Sequence, residues 1–340
     1  MPAVTPRTRI APTPSGYLHA GNAWSFLITW LAARSRGGQV HLRIDDLDAA
    51  RLRPEYVDDI FASLEWLGLD WDSGPKDAAE FRAAHSQTLR MGEYRSLLER
   101  LSASGAPGAD GPVVYPCACS REQARKDSEA AGTPGRYAGT CRNASIPWER
   151  SAFPGQAGPK DGSVREGLHL RARLQGNVEV TMADSAGGRE TLHPGRDMGD
   201  FVVWQKNGLP AYQLASVADD EALGIDLVVR GSDLLASSGA QLWLARQAGV
   251  AGFPRAAFIH HPLLLGPGRG KLSKSTGAEA LHALRAQGGP ESLLRFFASR
   301  LGIDPGAVGQ PRDLIDGFAL ARLPKDDLPW SDFAQALNLG

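Results

Sequence analysis

The sequence has few cysteines, no excess of either charge and no long apolar run, and each absence narrows its function. Three cysteines in 340 residues exclude a disulfide-stabilised scaffold. The 37 basic and 38 acidic residues give a formal net charge of −1, which argues against a protein that coats nucleic acid indiscriminately. The most apolar stretch, residues 23–33, is shorter than the roughly 20 residues of a spanning helix. With no signal-peptide pattern at its start, the sequence predicts a cytoplasmic protein.

The order of local patterns predicts an α/β fold. At roughly 150 residues per domain, the length suggests about two domains. Strand and helix signals alternate over the first hundred residues and again from Asp200, which is typical of a parallel sheet. Pro54 suits the first turn of a helix that Gly68 can end. Residues 168–174 and 178–182 alternate apolar and polar positions around Gly176-Asn177, which predicts an antiparallel hairpin.

Stretches rich in glycine and proline divide the chain. They occur near residues 102–112 and 154–162, as expected of loops in an insertion. We therefore predict a Rossmann-type, parallel-sheet nucleotide-binding domain, split by an α+β insertion and followed by a short helical part. The predicted boundaries are 1–102 and 200–276 for the nucleotide-binding domain, 103–199 for the insertion and 277–340 for the helical part.

The stretch from Gly16 to Asn22 lies between the first predicted strand and the first predicted helix. A helix amino terminus offers N–H groups and the positive end of its dipole, both of which favour phosphates. Gly21 has no Cβ to block a flat ring, and His19 and Asn22 share one side of the opening turn. Taken alone, the stretch is more typical of a capping loop with a surface histidine.

A second stretch, Gly270-Lys271-Leu-Ser-Lys274-Ser275, follows a predicted strand. Two lysines on a loop can hold a pyrophosphate leaving group, although alone such a run is commonly an exposed basic loop. Together, His-x-Gly-Asn and Lys-Leu-Ser-Lys-Ser resemble the two signatures of class I aminoacyl-tRNA synthetases. The resemblance implies transition-state stabilisers, without a covalent nucleophile, at His19, Asn22, Lys271 and Lys274. It implies that ATP, with Mg²⁺, binds at His19, Gly21, Asn22 and Lys274.

Further motifs resemble the glutamyl branch of that class over about residues 7–276. They begin at Arg9-Ile-Ala-Pro-Thr13, Leu42-Arg-Ile-Asp45, Pro210-Ala-Tyr212 and Val229-Arg230-Gly. Guanidinium groups suit a substrate with two carboxylates, because each can bind bidentately. By resemblance, the glutamate-binding residues are Arg9, Ala11, Thr13, Asp45, Tyr212 and Arg230. Asp45 departs from the family, which usually has glutamate there, so its reach to the substrate amino group is one methylene shorter. A charged, solvated strand end is the alternative explanation of residues 43–48.

The three cysteines, Cys117, Cys119 and Cys141, fall within one short stretch. Three thiols are one ligand short of a closed tetrahedral zinc site. No histidine lies between residues 117 and 141, so the fourth ligand must be Tyr137, a carboxylate or water. Three buried free cysteines are the alternative without metal.

The same stretch resembles the Cys-x-Cys…Tyr-x-x-x-Cys zinc pattern of the glutamyl-Q tRNA(Asp) synthetase family. It has Ala138 where proline is common, and a longer spacer. By this resemblance the insertion contains a structural zinc bound by Cys117, Cys119, Tyr137 and Cys141.

The resemblance implies a two-step reaction. Glutamate and ATP form glutamyl-adenylate without tRNA, and the glutamyl group passes to the queuosine wobble base in the anticodon stem-loop of tRNA(Asp). Two alternatives stay open: a glutamyl-tRNA synthetase charging a tRNA 3′ end, and a non-catalytic paralogue binding glutamate, ATP or tRNA. Only 65 of the 340 residues follow Ser275, so we expect no anticodon-binding domain, and we expect a monomer. Candidate tRNA-binding arginines are Arg171, Arg173, Arg285, Arg295 and Arg300.

Overall fold

The computed structural model describes residues 5–104, 112–146, 167–174, 176–185, 187–266 and 280–337. Its strands are β1 (Arg7–Ile10), β2 (Gln39–Leu42), β3 (Val114–Cys117), β4 (His169–Ala172), β5 (Val180–Asp184), β6 (Arg189–Leu192), β7 (Val202–Trp204), β8 (Leu227–Gly231) and β9 (Ala257–His261). Its α-helices are α1 (Ala20–Arg34), α2 (Pro54–Leu67), α3 (Ala78–Glu80), α4 (Met91–Ala103), α5 (Arg121–Ala130), α6 (Pro194–Asp197), α7 (Tyr212–Ala222), α8 (Leu235–Gln247), α9 (Leu281–Gln287), α10 (Glu291–Arg300) and α11 (Trp330–Ala336). Among these residues, no helix combines the length and apolarity needed to cross a membrane.

The chain forms two compact units, each built from separate segments. The first comprises residues 1–89, 225–234 and 257–340, and the second comprises residues 90–224 and 235–256. The domain boundaries drawn from the sequence stay a prediction.

Parallel strands organise the first unit, as the alternation of strand and helix signals predicts. β1 pairs in parallel with β2, and β8 pairs in parallel with β9. The chain entering β8 also bonds to β1, since the N–H of Asp226 donates to the carbonyl of Arg7 over 3.1 Å. The parallel α/β architecture is therefore confirmed.

Helix α1 lies in the core of this unit because its sequence is apolar on nearly every side. Trp24 and Trp30 of α1 are buried, and the ring of Trp24 lies 5.1 Å from that of the buried Phe297 of α10. The limits of α2 follow the sequence signals. Pro54 is its first residue, and Gly68 ends it in the left-handed conformation, at φ 71°.

The second unit contains antiparallel strands, and here one prediction is wrong. Residues 168–174 and 178–182 do not form a hairpin with each other. β4 pairs antiparallel with β3 and with β7, whereas β5 pairs antiparallel with β6. The alternating pattern identifies which residues face a core, but it carries no information about the partner strand. The sequence also predicts that the parallel α/β pattern resumes at Asp200. The first strand after that point, β7, pairs antiparallel with β4 instead, for the same reason.

We expect Gly74 to be far less replaceable than another glycine of the first unit, Gly37. Both have positive φ, 102° and 67°, but a Cβ on Gly74 would lie 2.2 Å from the carbonyl oxygen of Leu42, whereas one on Gly37 meets nothing within 4 Å. Gly37→Ala should therefore cost only the backbone term, about 1–2 kcal/mol, and Gly74→Ala about 1–3 kcal/mol more from the clash. Urea unfolding of the two variants measures the difference in their free energies of unfolding. Equal losses of stability would contradict this prediction, because they would show that the backbone at Leu42 moves away from the new Cβ at little cost.

Candidate functional site

The amino terminus of α1 is built from the His-x-Gly-Asn stretch. His19 is the N-cap residue, with extended backbone, and its N–H donates to the side-chain Oδ1 of Asn22 over 3.0 Å. This leaves the Nδ2 group of Asn22 as a donor. The N–H groups of Ala20 and Gly21 precede the intrahelical hydrogen bonds, as at any helix start. The arrangement suits a phosphate or another anion.

A buried carboxylate, Asp59 of α2, holds the residue before His19 in place. The N–H of Leu18 donates to its Oδ2 over 3.1 Å, and the carbonyl of Leu18 accepts from the N–H of Leu281 over 2.8 Å. Arg285 of α9 donates to the other oxygen of Asp59 over 3.2 Å and to Ser63 over 3.1 Å. Leu18 is therefore fixed on both sides, by α2 and by the start of α9.

Two buried arginines lie on neighbouring strands of the first unit. Arg9 on β1 and Arg230 on β8 are each only 4% exposed. The guanidinium of Arg9 donates to the carbonyl of Val229 over 3.2 Å, directly before Arg230 in the chain. The guanidinium of Arg230 lies 5.5 Å from the ring centre of Phe258. Such a pair can bind a substrate that carries two carboxylates.

Asp45 forms an ion pair that the sequence did not predict. Arg43 donates to its two oxygens over 2.6 and 3.1 Å, and the side chain of Arg43 is only 3% exposed. The N–H of Asp45 donates to the carbonyl of Pro12 over 2.9 Å, which places Asp45 beside the chain that follows β1. The alternative of a solvated strand end is wrong for Arg43 and Asp45, because both are held in this ion pair.

The other predicted site residues divide between the units. Ala11 and Thr13 lie in the loop after β1, in the first unit, whereas Tyr212 is the first residue of α7, in the second unit, and is 42% exposed. Lys271 and Lys274 lie outside the described residues.

The four predicted metal ligands converge in the second unit. The sulfur atoms of Cys117, Cys119 and Cys141 lie within 4.8 Å of one another. The hydroxyl of Tyr137 lies 3.3 Å from the sulfur of Cys117 and 3.4 Å from that of Cys119. A tetrahedral zinc with Zn–S distances of about 2.3 Å needs ligand atoms about 3.8 Å apart. The set therefore has the chemistry and nearly the spacing of a zinc site.

Without metal, two of these four crowded groups, Cys119 and Tyr137, are weaker acids than usual. Burial raises the pKa of the Cys119 thiol to about 12. Burial and hydrogen bonds to the neighbouring thiols also raise the pKa of Tyr137. A zinc ion reverses this preference, since a coordinating thiol is deprotonated outright.

Arg171 and Asp200 lie beside the ligand cluster, and neither belongs to a motif of the sequence. The guanidinium of Arg171 donates to the sulfur of Cys117 over 3.2 Å and stacks 3.7 Å from the ring centre of Tyr137. Asp200 accepts from the Tyr115 hydroxyl over 2.5 Å and from Arg142 over 2.6 and 2.8 Å. Arg171 is only 8% exposed, so it does not lie on an open surface, and its role in tRNA binding stays a prediction.

A cavity of about 260 Å³ opens beside the cysteine cluster, within the second unit. Its wall contains charged, hydrogen-bonding and aromatic side chains. The residues that line it are Cys119, Ser120, Arg121, His169, Arg171, Val202, Gln205, Ala211 and Tyr212. Burial lowers the pKa of His169, and the nearby charge of Arg171 lowers it further, so this imidazole is neutral at pH 7.

The fold and site of the first unit define a broad class. Parallel strands that lead into a helix amino terminus, with conformationally fixed donors at that terminus, are typical of nucleotide-binding α/β domains.

Comparisons with known proteins identify the family. The family model described as tRNA synthetases class I (E and Q), catalytic domain, matches residues 5–316. The glutamyl-Q tRNA(Asp) synthetase of Symbiobacterium thermophilum is 41% identical over 94% of this chain and 94% of its own length. That of Nitratidesulfovibrio vulgaris is 37% identical over 94% and 93%. The chain belongs to the class I glutamyl and glutaminyl tRNA synthetase family, and it is a ligase.

Longer relatives match the same region. The glutamate–tRNA ligase of Symbiobacterium thermophilum is 36% identical over 95% of this chain, which spans 64% of that relative. Among solved structures, the glutamate-tRNA synthetase of Elizabethkingia anophelis shares the fold, with a TM-score of 0.74 at 24% identity, over 98% of this chain and 69% of that chain.

We expect Asp59 to act as a positioning residue for the amino terminus of α1. Asp59→Ala removes the acceptor of both Leu18 and Arg285, which should cost about 2–3 kcal/mol of stability. It should also raise the KM for ATP several-fold, measured by ATP–pyrophosphate exchange at a temperature where the variant is folded. The exposed neighbour Asp58 supplies the matched control. Asp58→Ala should change neither quantity, and an unchanged KM for ATP in folded Asp59→Ala would contradict the positioning role.

Proposed function

We propose that the chain activates glutamate with ATP and then transfers the glutamyl group to queuosine in the anticodon stem-loop of tRNA(Asp). In the first step, a carboxylate oxygen of glutamate attacks the α-phosphorus of ATP, and pyrophosphate leaves. In the second, a hydroxyl of the queuosine cyclopentenediol attacks the acyl carbon, and AMP leaves. Both steps depend on positioning and on charge stabilisation more than on a protein nucleophile.

The buried arginine pair is the observation that carries the choice of amino acid. Arg9 and Arg230 present two guanidinium groups on adjacent strands, which suits the two carboxylates of glutamate. In the proposal Asp45 accepts from the substrate amino group, and Thr13, the Ala11 backbone and the Tyr212 hydroxyl are the other glutamate-binding groups.

In the proposal, residues of the two signature stretches offset the negative charge of the ATP phosphates. His19, Asn22 and the N–H of Gly21 would contact ATP at the start of α1, where the helix dipole favours anions. Lys271 and Lys274 would neutralise the departing pyrophosphate. Class I synthetases use ATP with Mg²⁺, which reduces the charge that these residues must offset.

The choice of queuosine as acceptor is supported by the comparisons. The relatives at 41% and 37% identity are both named glutamyl-Q tRNA(Asp) synthetase, and the glutamate–tRNA ligase is 36% identical. We also propose that the protein is a monomer and that it acts in the cytoplasm. The domain boundaries predicted from the sequence are likewise part of the proposal.

A structural zinc ion is also part of the proposal. Cys117, Cys119, Tyr137 and Cys141 would hold it at the end of β3, where their ligand atoms already converge. When bound, the zinc would cross-link two loops and stabilise their fold. It takes no part in the reaction.

A transfer assay tests the acceptor. The protein should catalyse glutamate-dependent ATP–pyrophosphate exchange without any tRNA, and should transfer labelled glutamate to tRNA(Asp) that carries queuosine. The same tRNA without the modification is the control and should receive none. Transfer to the 3′ end of tRNA(Glu) would favour an ordinary glutamyl-tRNA synthetase, and absence of exchange at saturating substrates would exclude the enzymatic proposal altogether.

Elemental analysis tests the metal. The purified protein should contain about one zinc ion per chain, because one tetrahedral ligand set is proposed. Cys119→Ser should lose it, whereas Ala118→Ser, on the exposed neighbouring residue, should retain it. Tyr137→Phe keeps the ring that stacks on Arg171, so faster zinc release to a chelator in this variant would identify the phenol as the fourth ligand; unchanged release would assign that place to water or a carboxylate.

A further inference from the structure

Among the described residues, those that line the cavity beside the cysteine cluster include two arginines and no acidic side chain. Its volume, about 260 Å³, is of the order of a single nucleoside. A wall with two arginines and no carboxylate favours an anionic ligand. Arg171 serves as the fixed side of this wall, because its guanidinium is already committed to Cys117 and to the carbonyl of Asp200, at 2.7 Å.

Arg121 is the cation in this wall that is exposed. It is the first residue of α5, a helix of 10 residues, and it follows the N-cap Ser120, whose hydroxyl oxygen accepts from the N–H of Gln123 over 3.1 Å. The helix dipole adds positive potential at this end. Arginine and dipole together suit a phosphate that lies at the mouth of the cavity.

The remaining wall offers groups that recognise a nucleoside. The exposed ring of Tyr212 offers an aromatic face on which a base or a similar ring can stack. The Nδ1 atom of His169 accepts from the N–H of Lys206 over 3.3 Å, which leaves Nε2 as the second hydrogen-bonding atom of that imidazole. The amide of Gln205 donates to the carbonyl of Pro210 over 3.1 Å, and its oxygen is a further acceptor.

We propose that this cavity binds one nucleotide of the tRNA substrate, with its phosphate at Arg121 and its nucleoside against the ring face of Tyr212, whose hydroxyl is the group proposed for glutamate. The inference rests on the proposed function only in that tRNA is the acceptor. Both queuosine and a 3′-terminal adenosine offer a ring for stacking and hydroxyls for hydrogen bonds. The experiment therefore compares tRNA(Asp) that carries queuosine with tRNA(Glu), whose acceptor is the 3′ end.

The test uses Arg121→Ala, with Arg125→Ala as the matched control. Arg125 lies one turn further along α5, is 61% exposed and pairs with Glu129 over 2.7 Å, outside the cavity. Equilibrium binding of queuosine-containing tRNA(Asp), and of tRNA(Glu), is measured for both variants and the unaltered protein over a range of salt concentrations. For the bound tRNA, Arg121→Ala should weaken binding about five- to tenfold and reduce the salt slope by about 0.7, the value for one phosphate contact on a single strand.

ATP–pyrophosphate exchange separates this proposal from the proposed function. Arg121→Ala should leave the KM for ATP and for glutamate unchanged, because exchange needs no RNA. A raised KM for ATP, or equal effects of Arg121→Ala and Arg125→Ala on tRNA binding, would overturn the assignment of the cavity. If the unaltered protein lacks exchange but binds tRNA through Arg121, the proposed function fails and the cavity assignment stands. If it binds neither tRNA, the cavity assignment fails.

His169→Ala gives an independent measure. It removes a hydrogen-bonding group from the cavity wall without changing a phosphate contact, so it should weaken binding of the same tRNA while leaving the salt slope unchanged. His169→Gln, which keeps a hydrogen-bonding side chain, should restore part of the affinity. A loss of affinity that is equal for Ala and Gln, with a changed salt slope, would contradict the nucleoside contact.

Discussion

The burial of α1 is the constraint on which the first unit depends. Eleven of its 15 residues are buried, so side chains on nearly every side of the helix pack against the core and hold it in one position. Hydrogen bonds between its side chains and other segments of the first unit also fix its position. The indole of Trp24 donates to the carbonyl of Pro262 over 2.9 Å, that of Trp30 donates to Asp70 over 2.8 Å, and His261 bonds to Ser25 over 2.9 Å. A helix fixed in this way presents its amino terminus at one defined place, and with it His19 and Asn22, which are proposed to contact ATP.

In the second unit, the proposed site is positioned mainly by charged groups, whereas in the first unit it is positioned by apolar burial. Three thiolates around Zn²⁺ would leave one net negative charge in a largely buried place, which is unfavourable without a cation nearby. Arg171 supplies one, in contact with both Cys117 and Tyr137. Asp200 in turn accepts from Arg142, Tyr115 and the N–H of Leu174, so the network ties the ligand loop to the strand region before β7. Residues outside the ligand set thus orient the ligands and tune the site.

The sequence predicted features set by neighbouring residues, such as helix ends, and missed features that depend on contacts between distant segments of the chain. Helix α2 begins at Pro54 and ends at Gly68 as predicted, because both signals act within one turn of the chain. The hairpin of residues 168–182 was wrong, because strand pairing joins segments that are distant in sequence. Asp59 was missed because it belongs to no motif. Its signal was an acidic residue on the buried face of an amphipathic helix, beside Val57 and Ile60. The convergence of the three cysteines was predictable because they lie within one short stretch, whereas Tyr137 was implied only by the family resemblance.

Asp45 shows how the structure changes the meaning of a departure from a family pattern. The shorter side chain suggested a carboxylate that falls short of its substrate. Instead, Arg43 binds both of its oxygens and fixes their orientation, while the main chain of Asp45 bonds to Pro12 beside Thr13. A carboxylate can accept about four hydrogen bonds, so the pair with Arg43 leaves acceptor positions for an ammonium group. The loss of one methylene thus removes flexibility as well as reach. In the proposed site, recognition of the amino group then depends on how firmly the Arg43–Asp45 pair is held, and the burial of Arg43 holds it firmly.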